Sequence, residues 1–258
     1  VDRAVREDLF PARTEVLGIP VDRCTREQAL AKCERALASG AAAEAIQIVT
    51  LNPEMVMRAR HDPEFKEAVM AAGLVLADGA GISWASRRLR APIPERIPGV
   101  DLLVELCELG ARRGWSIYLL GAAPGVAEMA GARLQALIPG LLIAGCTSGT
   151  RLESEAEATA GAIRASGARI LAVAFGVPHQ DLWLKRHLPA TGCAVGMGVG
   201  GSLDYLSGRV RRAPGWLRRL GLEWAFRLLR QPWRLPRMLR GAPFFLLVWR
   251  SARSAPAS

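Results

Sequence analysis

"IQIVTLNPEM", Ile46 to Met55, changes structural period between one residue and the next. Its first six residues are uncharged and rich in β-branched types, the pattern of a strand covered on both faces. Asn52, Pro53 and Glu54 then open a helix. Asn caps it, Pro suits the first helical position, and an acid in the first turn complements the helix dipole. A strand that feeds straight into a helix sets a rhythm, and the rest of the chain repeats it.

Upstream, "TEVLGIPVD" (14–22) reads as a strand and turn. Thr25 to Gln28 is a capping box that opens a helix to about Ala38, with Gly40 just beyond. Downstream, Asp62-Pro63-Glu64 repeats the helix-start signal, and Gly73 ends that helix. "LVLA" (74–77) is the next strand and runs into Asp78. A helix is predicted over Val100 to Arg112. Then come strand "SIYLLG" (116–121), helix "PGVAEMAGARLQAL" (124–137) and strand "LLIAGC" (141–146). Helix "ESEAEATAGAIRAS" (153–166) is closed by Gly167. Strand "RILAVAFG" (169–176), helix "PHQDLWLKRHL" (178–188) and strand "CAVGMGVG" (193–200), which runs into "GSLDYLSG", complete the series. Strands that alternate with helices and are apolar throughout predict an α/β fold with a mostly parallel sheet and helices on both faces.

In such sheets, ligands bind beyond the carboxyl ends of the strands. Unusual polar groups and glycines fall there: Thr50 and Asn52, Asp78, Gly121 to Gly125, His179 to Asp181, and Gly198, Gly200, Gly201, Ser202 and Asp204. Each has a plainer account. Asn52 caps a helix, "GAAPG" relieves strain in a turn, "GMGVGGS" could be tight packing, and Gln180 could stand exposed in a first helical turn. Their coincidence at one edge gives them weight.

The chain has 258 residues and a net charge of +10, and half of it is apolar. From Tyr205 onward it holds 12 Arg, no Lys and one acid, Glu223, so the first 204 residues sum to −1. Four of the seven tryptophans also lie in this tail: Trp216, Trp224, Trp233 and Trp249. We therefore read a core over residues 1–204 and a basic helical appendage over 205–258. Trp216, Leu220, Trp224 and Leu228 predict an apolar helical stripe. Arg227, Arg230, Arg234, Arg237 and Arg240 recur at three or four, with Pro232 and Pro236 breaking the run. With almost no acids to pair with, these arginines point to a polyanionic partner: an anionic membrane surface, a diphosphate clamped at the sheet edge, or a nucleic-acid backbone. Nucleic acid is disfavoured, because no recognition motif is present and the core is near neutral. The stripe could also drive homo-oligomerisation.

The five cysteines show no CxxC spacing and the three histidines no cluster, so neither a disulfide frame, a metal site nor a cofactor is expected. His61 reads as solvated and His187 as a helix-end residue. No signal peptide and no apolar run of membrane-spanning length stands out, "APFFLLVW" being far too short.

In order and spacing, "TLNPEM", "ADGAGI", "ERIPGVDL", "YLLGAAPGVAE", "FGVPHQDLW", "GVGGSLDYLSGRVRRAPGW" and "LGLEWAFRLLRQPWRLPR" resemble the WecG/TagA/CpsF glycosyltransferases from about Glu15 to Arg240. The resemblance implies a Rossmann-like core and an inverting, metal-independent transfer. A sugar, N-acetylmannosamine or a related hexose, moves from a UDP-sugar to a polyprenyl-diphosphate-linked saccharide in cell-surface polysaccharide synthesis. It places the enzyme in the cytoplasm, peripheral on the inner membrane face. It puts Asp78 at the base position and Thr50, Asn52 and Gln180 in the pocket. Arg96, Arg227, Arg234 and Arg237 fall at diphosphate-holding positions, and the glycine turn with Asp204 in the nucleotide-binding region. Gly121 joins that nucleotide set. One departure is "PHQD", where the family pattern has Lys or Arg before the Gln and often Glu after it. His179 and Asp181 keep that character. The alternative to an enzyme is a non-catalytic binder of anionic membrane or nucleic acid acting through the tail.

Overall fold

The computed structural model describes residues 13–39 and 45–254, apart from the side chains of 234, 237 and 254. Gly40, the expected stop of the first helix, lies outside the described residues. The chain opens with β1 (Thr14–Val16) and β2 (Ile19–Val21), an antiparallel hairpin separate from the main sheet. One strand and a turn were expected there. Leu17 and Gly18 both take positive φ, 54° and 78°, and reverse the chain within two residues.

After α1 (Arg26–Ser39) come β3 (Ile46–Leu51), α2 (Pro53–Ala59), α3 (Pro63–Ala71), β4 (Leu74–Ala77), α4 (Ala80–Arg88) and α5 (Gly99–Arg113). Then follow β5 (Ile117–Gly121), α6 (Val126–Leu137), β6 (Ile143–Thr147), α7 (Ala156–Ala165), β7 (Ile170–Ala174), α8 (His179–Thr191) and β8 (Val195–Gly198). The caps are those expected. Gln28 N–H donates to Thr25 Oγ1, and Thr25 N–H to Gln28 Oε1 at 2.9 Å. Met55 N–H donates to Asn52 Oδ1 at 3.1 Å, and Phe65 N–H to Asp62 Oδ1 at 3.1 Å.

The six main strands lie in the order β4-β3-β8-β7-β5-β6, every neighbouring pair parallel. Successive residues of each strand point to opposite faces. Ile48, Leu76, Leu119 and Met197 pack with α1, α5 and α6 on one face. On the other face, Val49 and Val75 pack with the hairpin, α2, α3 and α4, while Leu120 and Val173 pack with α7 and α8. The chain leaves β3 toward the second face through α2 and leaves β8 toward the first through Leu203. That divergence falls at the carboxyl ends of β3 and β8, the kind of position where open α/β sheets bind ligands.

α4 has no counterpart in the sequence reading. Gly79 and Gly81 obscure it, but their smallness serves packing. A Cβ on Gly81 would come 2.6 Å from Pro53 Cγ and 3.3 Å from Phe245 Cζ. Beyond β8 lie α9 (Ser202–Leu206), α10 (Gly215–Arg219), α11 (Glu223–Arg230), α12 (Leu235–Gly241) and α13 (Pro243–Ser254). The expected single stripe from Trp216 to Leu228 is divided between α10 and α11 by Gly221, at φ 73°. α11 ends ahead of Pro232, as the sequence predicts. Phe244 and Val248 of α13 are fully buried against the second face.

Candidate active site

The strand register brings the pocket together. Thr50 pairs with Leu76 and Leu51 with Ala77, and Asp78 N–H extends the ladder to Leu51 O at 3.0 Å. Asp78 therefore stands beside Asn52 at the rim. Across from it, α5 begins: Gly99 N–H donates to Asp78 Oδ1 at 3.4 Å, so a helix N-terminus faces the carboxylate. Gly99 is small because Thr50 is there. A Cβ on it would fall 2.9 Å from Thr50 Oγ1.

Asp78 is a perturbed carboxyl of this rim. Burial raises its pKa to about 6, and the nearby Glu223 carboxylate adds to the rise. The Gly99 N–H and the guanidinium groups of Arg96 and Arg212 oppose it. The group is ionised at neutral pH yet basic enough to accept a proton.

Gln180 is buried, not exposed. Its Oε1 accepts from Gly176 N–H at 3.2 Å and from Gly200 N–H at 2.9 Å, which ties the turn after β7 to the turn after β8. A Cβ on Gly198 would meet Gln180 Nε2 at 2.6 Å. Beside it, Asp181 is fully buried, and neither carboxylate oxygen has a hydrogen-bond partner. Burial pushes Asp181 up to about 7. His179 is lowered by burial and by Arg151 and Arg58. Away from the rim, His61 is exposed, and His187 Nε2 lies 3.0 Å from Glu153 Oε1.

Further along the rim is a cavity of about 360 Å³ lined by Ala122, Ala123, Ser148 to Arg151, Ala174 and Phe175. Gly121 lies next to it in the chain. It takes φ 102°, and a Cβ there would strike Ala174 C at 2.8 Å.

The appendage meets the same rim. Arg227 stacks over the Tyr205 ring at 4.8 Å, and its Nη2 lies close enough to Gly201 that a Cβ there would displace it. Arg227 Nε is buried without a hydrogen-bond partner. Asp204 Oδ2 would lie 3.5 Å from a Cβ on Gly201. A Cβ on Gly221 would touch Ala80 Cβ at 2.9 Å, so the tail also rests on the start of α4. Arg96 Nη2 donates to Arg218 O at 2.9 Å and joins core to tail. Of the other two tail arginines singled out, Arg234 lies in a 3₁₀ turn and Arg237 in α12. Their side chains lie outside the described residues.

Asp101, Arg212 and Glu223 form a cluster next to Asp78 that the sequence reading did not assign. The lone tail acid and the first-turn acid after Pro98 were visible, but nothing in the sequence paired them. Among the described residues, no group of three His, Cys, Asp or Glu could hold a metal ion. No helix among them is long and apolar enough to cross a membrane.

The profile described as "Glycosyl transferase WecG/TagA/CpsF family" matches residues 14–257. The chain is 32% identical over 207 residues to the N-acetylglucosaminyldiphosphoundecaprenol N-acetyl-beta-D-mannosaminyltransferase of Bacillus subtilis (strain 168), covering 80% of each chain. It is 32% identical over 242 residues to the enzyme of the same name from Staphylococcus aureus (strain MW2), covering 94% of each. With such relatives the non-catalytic alternative is set aside, and the chain belongs to the WecG/TagA/CpsF family of glycosyltransferases.

Proposed function

We propose that this glycosyltransferase moves N-acetylmannosamine from a UDP-sugar to a polyprenyl-diphosphate-linked N-acetylglucosamine, with inversion and without a metal ion. The acceptor and the transferred sugar follow the printed names of the relatives. The observation that carries the chemistry is Asp78: a carboxyl group raised to about 6 at the carboxyl edge of the sheet, with a helix N-terminus before it.

In the proposed step the acceptor hydroxyl attacks the anomeric carbon from the side opposite UDP. Asp78 takes the hydroxyl proton as the new C–O bond forms. The bond to the diphosphate oxygen breaks with its electron pair, and UDP leaves. Arg227, with Arg96, Arg234 and Arg237, compensates the charge that develops on the diphosphate. The rim cavity beside Gly121 and the glycine turn with Asp204 receive the nucleoside. Thr50, Asn52 and Gln180 line the sugar pocket.

The appendage, residues 205–258, completes this site and rests on the inner face of an anionic membrane, where the lipid-linked acceptor resides. Exposed Trp216, Leu220, Leu229 and Trp233 among arginines support that docking. Self-association through the same apolar residues is the competing use of this surface.

The test is UDP release from UDP-N-acetylmannosamine with a short-chain lipid-diphosphate N-acetylglucosamine acceptor. Wild-type turnover should persist in a chelator, and Asp78→Asn should lower it by about 10²–10⁴-fold. Near-normal turnover in a folded Asp78→Asn protein would remove Asp78 from the base role.

A further inference from the structure

Arg212 is not among the arginines that the family resemblance assigns to the diphosphate, yet it joins two carboxylates. Its two terminal nitrogens pair with both oxygens of Asp101, Nη2 to Oδ2 at 3.0 Å. Its Nε donates to Glu223 Oε1 at 3.1 Å. Asp101 stands in the first turn of α5, two residues beyond the Gly99 N–H that reaches Asp78. Glu223 opens α11 and is the one acid after residue 204. All three side chains are mostly covered, with 21%, 26% and 20% of their surface exposed for Arg212, Asp101 and Glu223.

A planar guanidinium that is bidentate to one carboxylate and donates sideways to another fixes both partners in direction as well as distance. Loss of one partner leaves the others charged and half-buried, which is costly. Two weaker links lie on the same seam: Arg96 to the Arg218 carbonyl at 2.9 Å, and Arg218 Nη1 to Asp101 Oδ1 at 3.9 Å. The charged groups acting on Asp78 are Glu223 from the appendage, Arg212 from the segment before α10, and Arg96 from the loop before α5.

We propose that Arg212 is a positioning residue that bridges Asp101 at the start of α5 to Glu223 at the start of α11, and so holds Glu223 near Asp78. The bridge stands on geometry alone. The link to turnover rests on the reading of Asp78 as the base.

Hydrogen exchange on the full chain tests the bridge. Amides of residues 216–230 should exchange about tenfold faster in Arg212→Gln and in Asp101→Asn, while amides of β3, β4 and β8 stay at wild-type rates. Adding Arg212→Gln to an Asp101→Asn/Glu223→Gln double variant should loosen the tail no further, because the charge pairing that Arg212 supplies is already lost. Unchanged exchange in the tail, or additive effects, would overturn the proposal. If Arg212→Gln also loosens the sheet, Glu223→Gln decides, since it leaves the Arg212–Asp101 pair in place and frees only α11: faster exchange over 223–230 supports the bridge, and unchanged exchange there overturns it. In the UDP-release assay, Glu223→Gln should move the acidic limb of the kcat profile to lower pH. An unmoved limb overturns the link to Asp78. A wild-type protein with no turnover counts against the proposed function instead, and the exchange measurements still judge the bridge.

Discussion

Asp78, the proposed base, sets its proposed role against stability. Its carboxyl holds a proton more tightly in the folded protein, with a pKa of about 6, than the ordinary value of 3.8. The folded state therefore loses stability as pH rises from about 4 to about 6, and the cost is complete above that range. Asp78→Asn removes the titrating group. Its melting temperature should exceed that of the wild type at pH 8, by the equivalent of roughly 2–3 kcal/mol, and the difference should vanish by pH 4. The same substitution should abolish most turnover, so stability and activity would move in opposite directions. A variant no more stable than wild type at pH 8 would mean that the carboxyl is not desolvated. Asp78 was legible because an acid at the end of an apolar strand is conspicuous. Gln180 was legible as a candidate but not in its surroundings, because burial of a first-turn residue depends on what the next strand brings to it.

At the scale of elements, the site is an arrangement of turns held by side chains. The turn after β8 is built from glycines, and Gln180 braces it by accepting two N–H groups. Gln180→Ala should leave both donors without their acceptor. That costs about 1–3 kcal/mol, read by denaturant unfolding, and weakens UDP binding about tenfold as the turn loosens. Unfolding and UDP affinity both at wild-type values would show that the brace is dispensable. α4 illustrates the limit of local patterns. Its glycines and serines look unlike a helix, yet Ile82 and Ala85 are fully buried on the second face of the sheet. Small residues are needed there because Pro53 and Phe245, both distant in sequence, press against them.

Across the whole molecule, the apolar residues of the appendage fall into a buried and an exposed group. Phe244 and Val248 are fully buried against the second sheet face, and each contributes about 1.5–3 kcal/mol by burial. Removal of residues from Pro243 onward should therefore lower the melting temperature as well as alter the tail. Leu229 and Trp233 are 84% and 71% exposed, and Trp216 and Leu220 stand out similarly. Serine at these four positions should reduce co-sedimentation with phosphatidylglycerol vesicles at least about tenfold. Stability should barely change, because exposed side chains contribute little to folding. Undiminished vesicle binding would shift the membrane contact to the arginines alone.

The alternation of apolar strands with capped helices determined the fold class. Signals such as the Thr25 capping box and the Asn52 cap act over three or four residues, so the sequence displays them directly. The lone aspartate at the strand end and the separation of charge between core and tail were equally visible. The strand order, the burial of Gln180 and Asp181, and the meeting of Asp101, Arg212 and Glu223 were decided only by the tertiary structure. These contacts join residues far apart in the chain, and one sequence carries no local signal of which distant partner completes a charge or fills a gap beside a glycine.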